Sequence, residues 1–459
     1  MKQANTILLK KLIKFSQGLL MVILFGVLAS CSASDATSTA DTDATDTTAF
    51  TVSDWTSSGV LETSINLVAF EQSNLENAES SNFYVAGVSR NYGVNSVYLT
   101  YAVSEDIPST GTEETTAIGA LYYPDTIDDI KGLIIYSPGT ELENKDVKDS
   151  PGDYENFLKA YASHGYAIIY NYYIGLAPSE DIAGVNSGER HQRLSIMNSA
   201  EIQITALLDS FVDYAVDNNL SMPNKKLFLM GHSLGANYSA GYHLYYQTLS
   251  ERKFNLTATL AGSGAYDFKQ AYDESLLVYD RDKSSTGNVR FEHLALALPN
   301  FMYEWQHYYG GLVTTSDYKG FVGVDLTNSD DDFTFASNIY SHGEFSTTTN
   351  VLFSFTPDTQ AEITNKTKAF DDGTNVYDFM DTQSVINRYT SNSIPLRAGY
   401  MPNDWDDPSI SAKTLSETFS HVTFYNFSDE CTDSIFDDKN HKAGEYCLIR
   451  SALGYFDGY

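Results

Sequence analysis

The chain has 459 residues, 42% of them hydrophobic, and carries 60 Asp and Glu against 28 Lys and Arg, a formal net charge of −32. That length allows a large buried core, in one domain with insertions or in several smaller ones. A field of this sign repels phosphates and anionic headgroups, and no basic patch or zinc-finger spacing offsets it, so nucleic acid is excluded as a partner.

At the amino end, Lys10, Lys11 and Lys14 precede an apolar run from Leu19 to Ala29. The run is short for a membrane span and has the form of an export signal. It ends in Leu28-Ala29-Ser30-Cys31, which resembles the lipobox of bacterial lipoproteins. The resemblance implies a signal peptide over 1–30, cleavage before Cys31 and a lipid on its thiol. It also implies membrane attachment in the bacterial cell envelope, and Ser32 in the next position resembles the pattern for outer-membrane delivery. Residues Ser32 to Ala49 are almost entirely Ser, Ala, Thr and Asp. They have nothing to bury, so 31–50 reads as a flexible acidic tether.

From about Thr51 to Pro124 the chain is β-rich and aromatic, as in Ser96 to Tyr101 and Ala117 to Tyr123. The pattern then changes to alternation. An apolar strand (Gly132 to Tyr136) is followed by a helix near Tyr154 to His164 and a second apolar strand (Tyr166 to Tyr170). A long helix is predicted over Ser195 to Asp217, with Ala200, Ile204, Leu207, Phe211 and Ala215 on one stripe. The strand Leu227 to Met230, a helix to about Ser250 and a strand near Leu256 to Leu260 follow. Regularity weakens from Phe268 to Ser391, which reads as an inserted cap, since unstructured loops of that length are unusual. Alternation resumes with a strand at Pro395 to Gly399, a helix near Ser409 to Thr418, a strand His421 to Phe427 and a last helix from about Gly444. The expected class is α/β, a mostly parallel central sheet flanked by helices, with residues 51–267 and 392–459 forming one domain around a 268–391 cap.

Gly231-His232-Ser233-Leu234-Gly235 stands between an apolar strand and a helical run. A GxSxG pentapeptide in that setting is a sharp turn that exposes a serine, with glycines relieving the crowding and helical N–H groups facing the hydroxyl. The stretch from about Ala117 to the carboxyl end resembles the α/β-hydrolase superfamily in its secreted lipase and esterase branch. Four further landmarks carry the resemblance: Ser137-Pro138-Gly139-Thr140, Ala162 to Ala167, Asn171-Tyr172-Tyr173-Ile174-Gly175 (with Asn171 where aspartate is usual), and Gly262 to Asp267.

What the resemblance implies is acyl transfer by a serine–acid–histidine set. Ser233 is the expected nucleophile. His441, in a polar stretch before the last helix, is the expected base, with His421 the alternative. His232 is expected to pack beside the site. The acid is expected at Asp404 in the loop after the Pro395 to Gly399 strand; the loop is long for the family, so Asp406 and Asp407 stay open. The oxyanion hole is expected from the backbone N–H of Leu234 and of the Gly139–Thr140 turn. No metal or organic cofactor is called for. The expected activity is hydrolysis of a small-molecule or lipid ester, with a serine peptidase, a glycan-ester hydrolase or an inactive binding protein as alternatives. Export permits a disulfide between Cys431 and Cys447, which would span the His441 loop.

Overall fold

The computed structural model describes residues 55, 57–66, 91–108, 111–126, 130–139, 154–174, 197–270, 273, 305, 357–370, 373–388, 393–401, 409–429 and 441–459, over which elements are numbered below. The expected signal and tether (1–50), most of the expected cap, and the segment holding Asp404, Asp406 and Asp407 lie outside them.

Nine strands form one sheet: β1 (Leu61–Asn66), β2 (Val94–Ile107), β3 (Gly111–Pro124), β4 (Leu133–Ser137), β5 (Ala167–Asn171), β6 (Lys226–His232), β7 (Asn255–Gly262), β8 (Leu396–Tyr400) and β9 (Val422–Asn426). Their order is β1-β2-β3-β5-β4-β6-β7-β8-β9. The first three and β5 pair antiparallel, and from β5 through β9 every pairing is parallel. β4 and β5 are buried at every position, as strands covered on both faces must be, which explains their unbroken apolar sequence.

Helices supply that cover: α1 (Glu155–Ser163), α2 (Met197–Asp217), α3 (Leu234–Tyr246), α4 (Pro357–Thr364), α5 (Val376–Gln383), α6 (Val385–Arg388), α7 (Ser409–Thr418) and α8 (His441–Phe456). The predicted stripe of α2 is buried throughout. Its Leu207 packs over β3 beside Ile169 of β5, while Tyr136 and Tyr170 point to the other face, against Phe157 and Tyr154 at α1. α8 lies on that second face, where the Tyr161 hydroxyl donates to the Ile449 carbonyl at 2.6 Å. β7 and β8 are neighbours although the expected cap separates them in sequence.

One expectation is corrected. No helix among the described residues is long and apolar enough to cross a membrane. The longest, α2, carries Glu201, Asp209, Asp213 and Asp217, the mixed character of a helix that buries one face on a sheet. The membrane assignment is not kept, since nothing described attaches the chain to a bilayer and Cys31 lies outside the described residues. Of the expected Cys431–Cys447 disulfide, Cys447 is described and is disulfide-bonded, while Cys431 lies outside the described residues. Cys447 is buried in α8 with its Sγ 3.3 Å from the Phe427 carbonyl oxygen.

Candidate active site

The strand order reverses beside β4. The chain leaves β4 for β5 on one side, then returns on the other side with β6 and continues outward to β9. Connections diverge at the carboxyl ends of β4 and β6, and a crevice opens there in sheets of this kind. Ser137-Pro138-Gly139 follows from one of those ends and Ser233 from the other.

Ser233 is held at φ 56°, ψ −124°, a conformation that a residue with a Cβ rarely adopts. Its side chain makes no capping hydrogen bond to α3, so the hydroxyl is not spent on the helix end. The backbone fixes it from both sides: its N–H donates to the Gly262 carbonyl at 2.8 Å, and its own carbonyl accepts from Ala236 at 2.9 Å. The flanking glycines are required by contact. A Cβ on Gly231 would stand 2.1 Å from the Gly235 carbonyl oxygen, and one on Gly235 would stand 1.9 Å from that of Ser137. Strand β4 thus lies directly against the first turn of α3, and a Cβ at Gly139 would be 3.6 Å from the Ser233 Cβ. Tyr173 donates to the Pro138 carbonyl and steadies the turn from the β5 side.

The other sequence-derived residues fall as follows. Leu234 is the first residue of α3, and Gly139 faces Ser233, whereas Thr140 lies outside the described residues. His441 opens α8, and α8 follows β9 from the same carboxyl edge. Three residues on, Gly444 reaches the elbow: a Cβ there would stand 3.0 Å from Met401 Cγ and Ser263 Oγ and 3.4 Å from His232 Nε2. Met401 follows β8 and precedes the segment of Asp404, so the described starts of the segments expected to bring acid and base meet next to His232, the residue before Ser233. His232 is buried, with Nδ1 toward Gly139 and Nε2 toward Gly444. His421 stands just before β9, at the amino end of the parallel strands and thus opposite Ser233. It stacks on His243 at 5.5 Å, and burial pushes its imidazole pKa down.

Two residues near the site were assigned no role from the sequence. Ser263 follows β7 at φ 54° with its buried hydroxyl unpartnered. Glu445, buried in α8, accepts hydrogen bonds from Tyr136 at 2.8 Å and Tyr154 at 3.0 Å. Burial first, then the Glu445 charge, push the Tyr136 hydroxyl well above its ordinary pKa, so it remains a donor. Among the described residues no group of three or more His, Cys, Asp or Glu could hold a metal.

No protein-family model and no curated protein matches the chain. Solved structures do. A protein assigned as a hydrolase from Legionella pneumophila superposes with a TM-score of 0.66 at 17% identity, over 87% of this chain and 98% of that one. The rice cell wall degrading esterase LipA from Xanthomonas oryzae superposes with a TM-score of 0.65 at 18% identity, over 87% of this chain and 99% of that one. The fold is that of the α/β-hydrolases. At such identities the likeness extends to architecture alone: a mostly parallel sheet flanked by helices, as expected from the sequence, with the Ser233 turn at its switch point.

Proposed function

We propose that the protein is an exported serine ester hydrolase working through Ser233, His441 and an acid from the loop after β8, with Asp404 the first choice. The observation that carries this is the strained Ser233, half-exposed, at a strand-to-helix turn against Gly139. Serine is a weak nucleophile until a base removes its proton. His441 takes that proton as the hydroxyl oxygen attacks the ester carbonyl carbon. The N–H groups of Leu234 and Gly139 receive the charge that forms on the carbonyl oxygen, a preorganised arrangement that is strong where water is excluded. Collapse of the tetrahedral species, with His441 returning the proton to the leaving alcohol, yields an acyl-enzyme that water then hydrolyses. Export is supported by the basic, then apolar, amino end. Ester hydrolysis is also the activity named for the Xanthomonas protein that shares the fold.

The test is fluorophosphonate labelling beside turnover of soluble short-chain esters, triglycerides and short peptides. Labelling on Ser233, ester turnover above peptide turnover, and loss of both in Ser233→Ala by about 10⁶-fold, as for other serine hydrolases, are expected. Peptide turnover exceeding ester turnover would favour the peptidase reading. An unreactive Ser233 with no turnover would favour a binding protein.

A further inference from the structure

We infer that Glu445 is a positioning residue, which through Tyr136 and Tyr154 locks the helix carrying His441 onto the strand that delivers the oxyanion turn. The inference rests on the ester-hydrolase reading and names a residue that the reading leaves unused.

Glu445 is 7% exposed. A carboxylate is costly to bury unless paired, so a residue that serves only to fill space there would be apolar. Its Oε1 accepts two hydroxyls, from Tyr136 and Tyr154. Those two rings pack on each other at 5.8 Å, and both rest on Tyr170 of β5, at 5.8 Å and 5.4 Å. The carboxylate therefore sits at the apex of a rigid aromatic wedge, and hydrogen bonds to a charged acceptor are about twice as strong as neutral ones.

Both ends of this contact lead directly to the reacting groups. Tyr136 is followed by Ser137, which lies beside Gly231 in the sheet, and then by Pro138 and Gly139 against Ser233. Glu445 is one helical turn after His441, so the two positions share a face of α8. Its neighbour Gly444 touches Met401, Ser263 and His232. Two consecutive residues of α8 thus meet the strand of the oxyanion turn and Met401, the residue between β8 and the expected acid loop. A shift of α8 along β4 would move base and oxyanion donors relative to each other, and misplacement of about 1 Å costs on the order of 100-fold in rate.

The experiment measures kcat and KM for p-nitrophenyl butyrate in the full chain and in four variants. Glu445→Ala is expected to lower kcat by about 10- to 100-fold at nearly constant KM. Glu445→Gln, which keeps the accepting oxygen, restores most of that turnover. The double variant Tyr136→Phe/Tyr154→Phe keeps both rings and removes only the donors, and is expected to lower kcat at constant KM with native near-ultraviolet circular dichroism. It serves as the deciding measurement if Glu445→Ala does not fold. Wild-type kcat in the double variant, or equal losses in Gln and Ala, overturns the inference alone. Turnover that survives Ser233→Ala, the fourth variant, overturns the ester-hydrolase reading and this inference with it.

Discussion

Ser233 and its two glycines form a unit in which no atom is spare. The strained backbone of Ser233 is a cost on the order of 1–3 kcal/mol that tends to persist at functional sites. The missing side chain of Gly235 lets β4 approach to within contact of α3. Gly235→Ala would drive a methyl into the Ser137 carbonyl, and we expect about 1–3 kcal/mol of destabilisation in urea unfolding. Ester turnover should fall further than stability alone predicts, since the oxyanion turn must move to make room; unchanged turnover would show that β4 is not the wall of the site. The acid is tested at the same scale. Asp404→Asn should lower short-ester turnover by about 10⁴-fold, by analogy with the serine-protease triad, while Asp406→Asn and Asp407→Asn cost far less. The reverse order would move the acid two or three positions along the loop and leave the rest of the proposal standing.

Among the elements, α2 shows how one carboxylate can hold a strand. Asp213, 3% exposed, accepts from the backbone N–H groups of Ser58 at 2.6 Å, Val60 at 2.8 Å and Leu61 at 3.0 Å, so it pins the chain entering β1. Burial pushes its pKa up, but the backbone donors at Leu61 and Ser58 and the Ser57 and Ser58 side chains outweigh it and hold the carboxyl below its ordinary value. A carboxylate depressed in the folded state contributes stability that is fully present above the unfolded pKa of about 3.9 and is lost as pH falls through the folded value. Asp213→Asn should therefore lower unfolding free energy near neutrality and flatten its decline below about pH 4. Parallel acid-unfolding curves for the two proteins would refute that role. At α6, Arg388 reaches Glu201 at 3.1 Å and Asn198 of α2, and Gln383 of α5 accepts from the Met197 N–H at 2.9 Å. Arg388→Ala leaves the nearly buried Glu201 without its cation, at a cost of about 3 kcal/mol. Adding Glu201→Gln should recover part of that loss in thermal unfolding.

The whole molecule carries its −32 charge over a surface where like charges repel. Self-repulsion destabilises the compact state and is screened as the Debye length shrinks from about 30 Å at 0.01 M salt to about 3 Å at 1 M. The Tm should rise with sodium chloride over that range, and a flat or falling Tm would mean that local ion pairs outweigh the net field. The same sheet that bears this charge also sorts the chemistry by end. Ser233, Gly139, Met401 and the start of α8 gather at the carboxyl edge, while His421 is carried to the opposite edge simply because it precedes its strand.

Local signals were enough for much of this. The apolar runs at β4, β5 and β6, the buried stripe of α2, the bounds of α7 at Ser409–Thr418 and the strand–serine–helix setting of the elbow are written in short stretches of sequence, because periodicity and turn chemistry act between near neighbours. The antiparallel entry through β1, β2 and β3, the reversal beside β4 and the placing of His421 at the edge opposite Ser233 were decided by strand pairing. Pairing joins segments that no short window contains, and a histidine at the start of a strand reads like one at its end. Glu445 is the sharpest instance: its partners lie 309 and 291 positions away, and a lone glutamate in a helix has no sequence mark of burial. Only folding the last helix onto the fourth strand makes it a buried acceptor, since a carboxylate is defined by what donates to it, and those donors are set by tertiary structure.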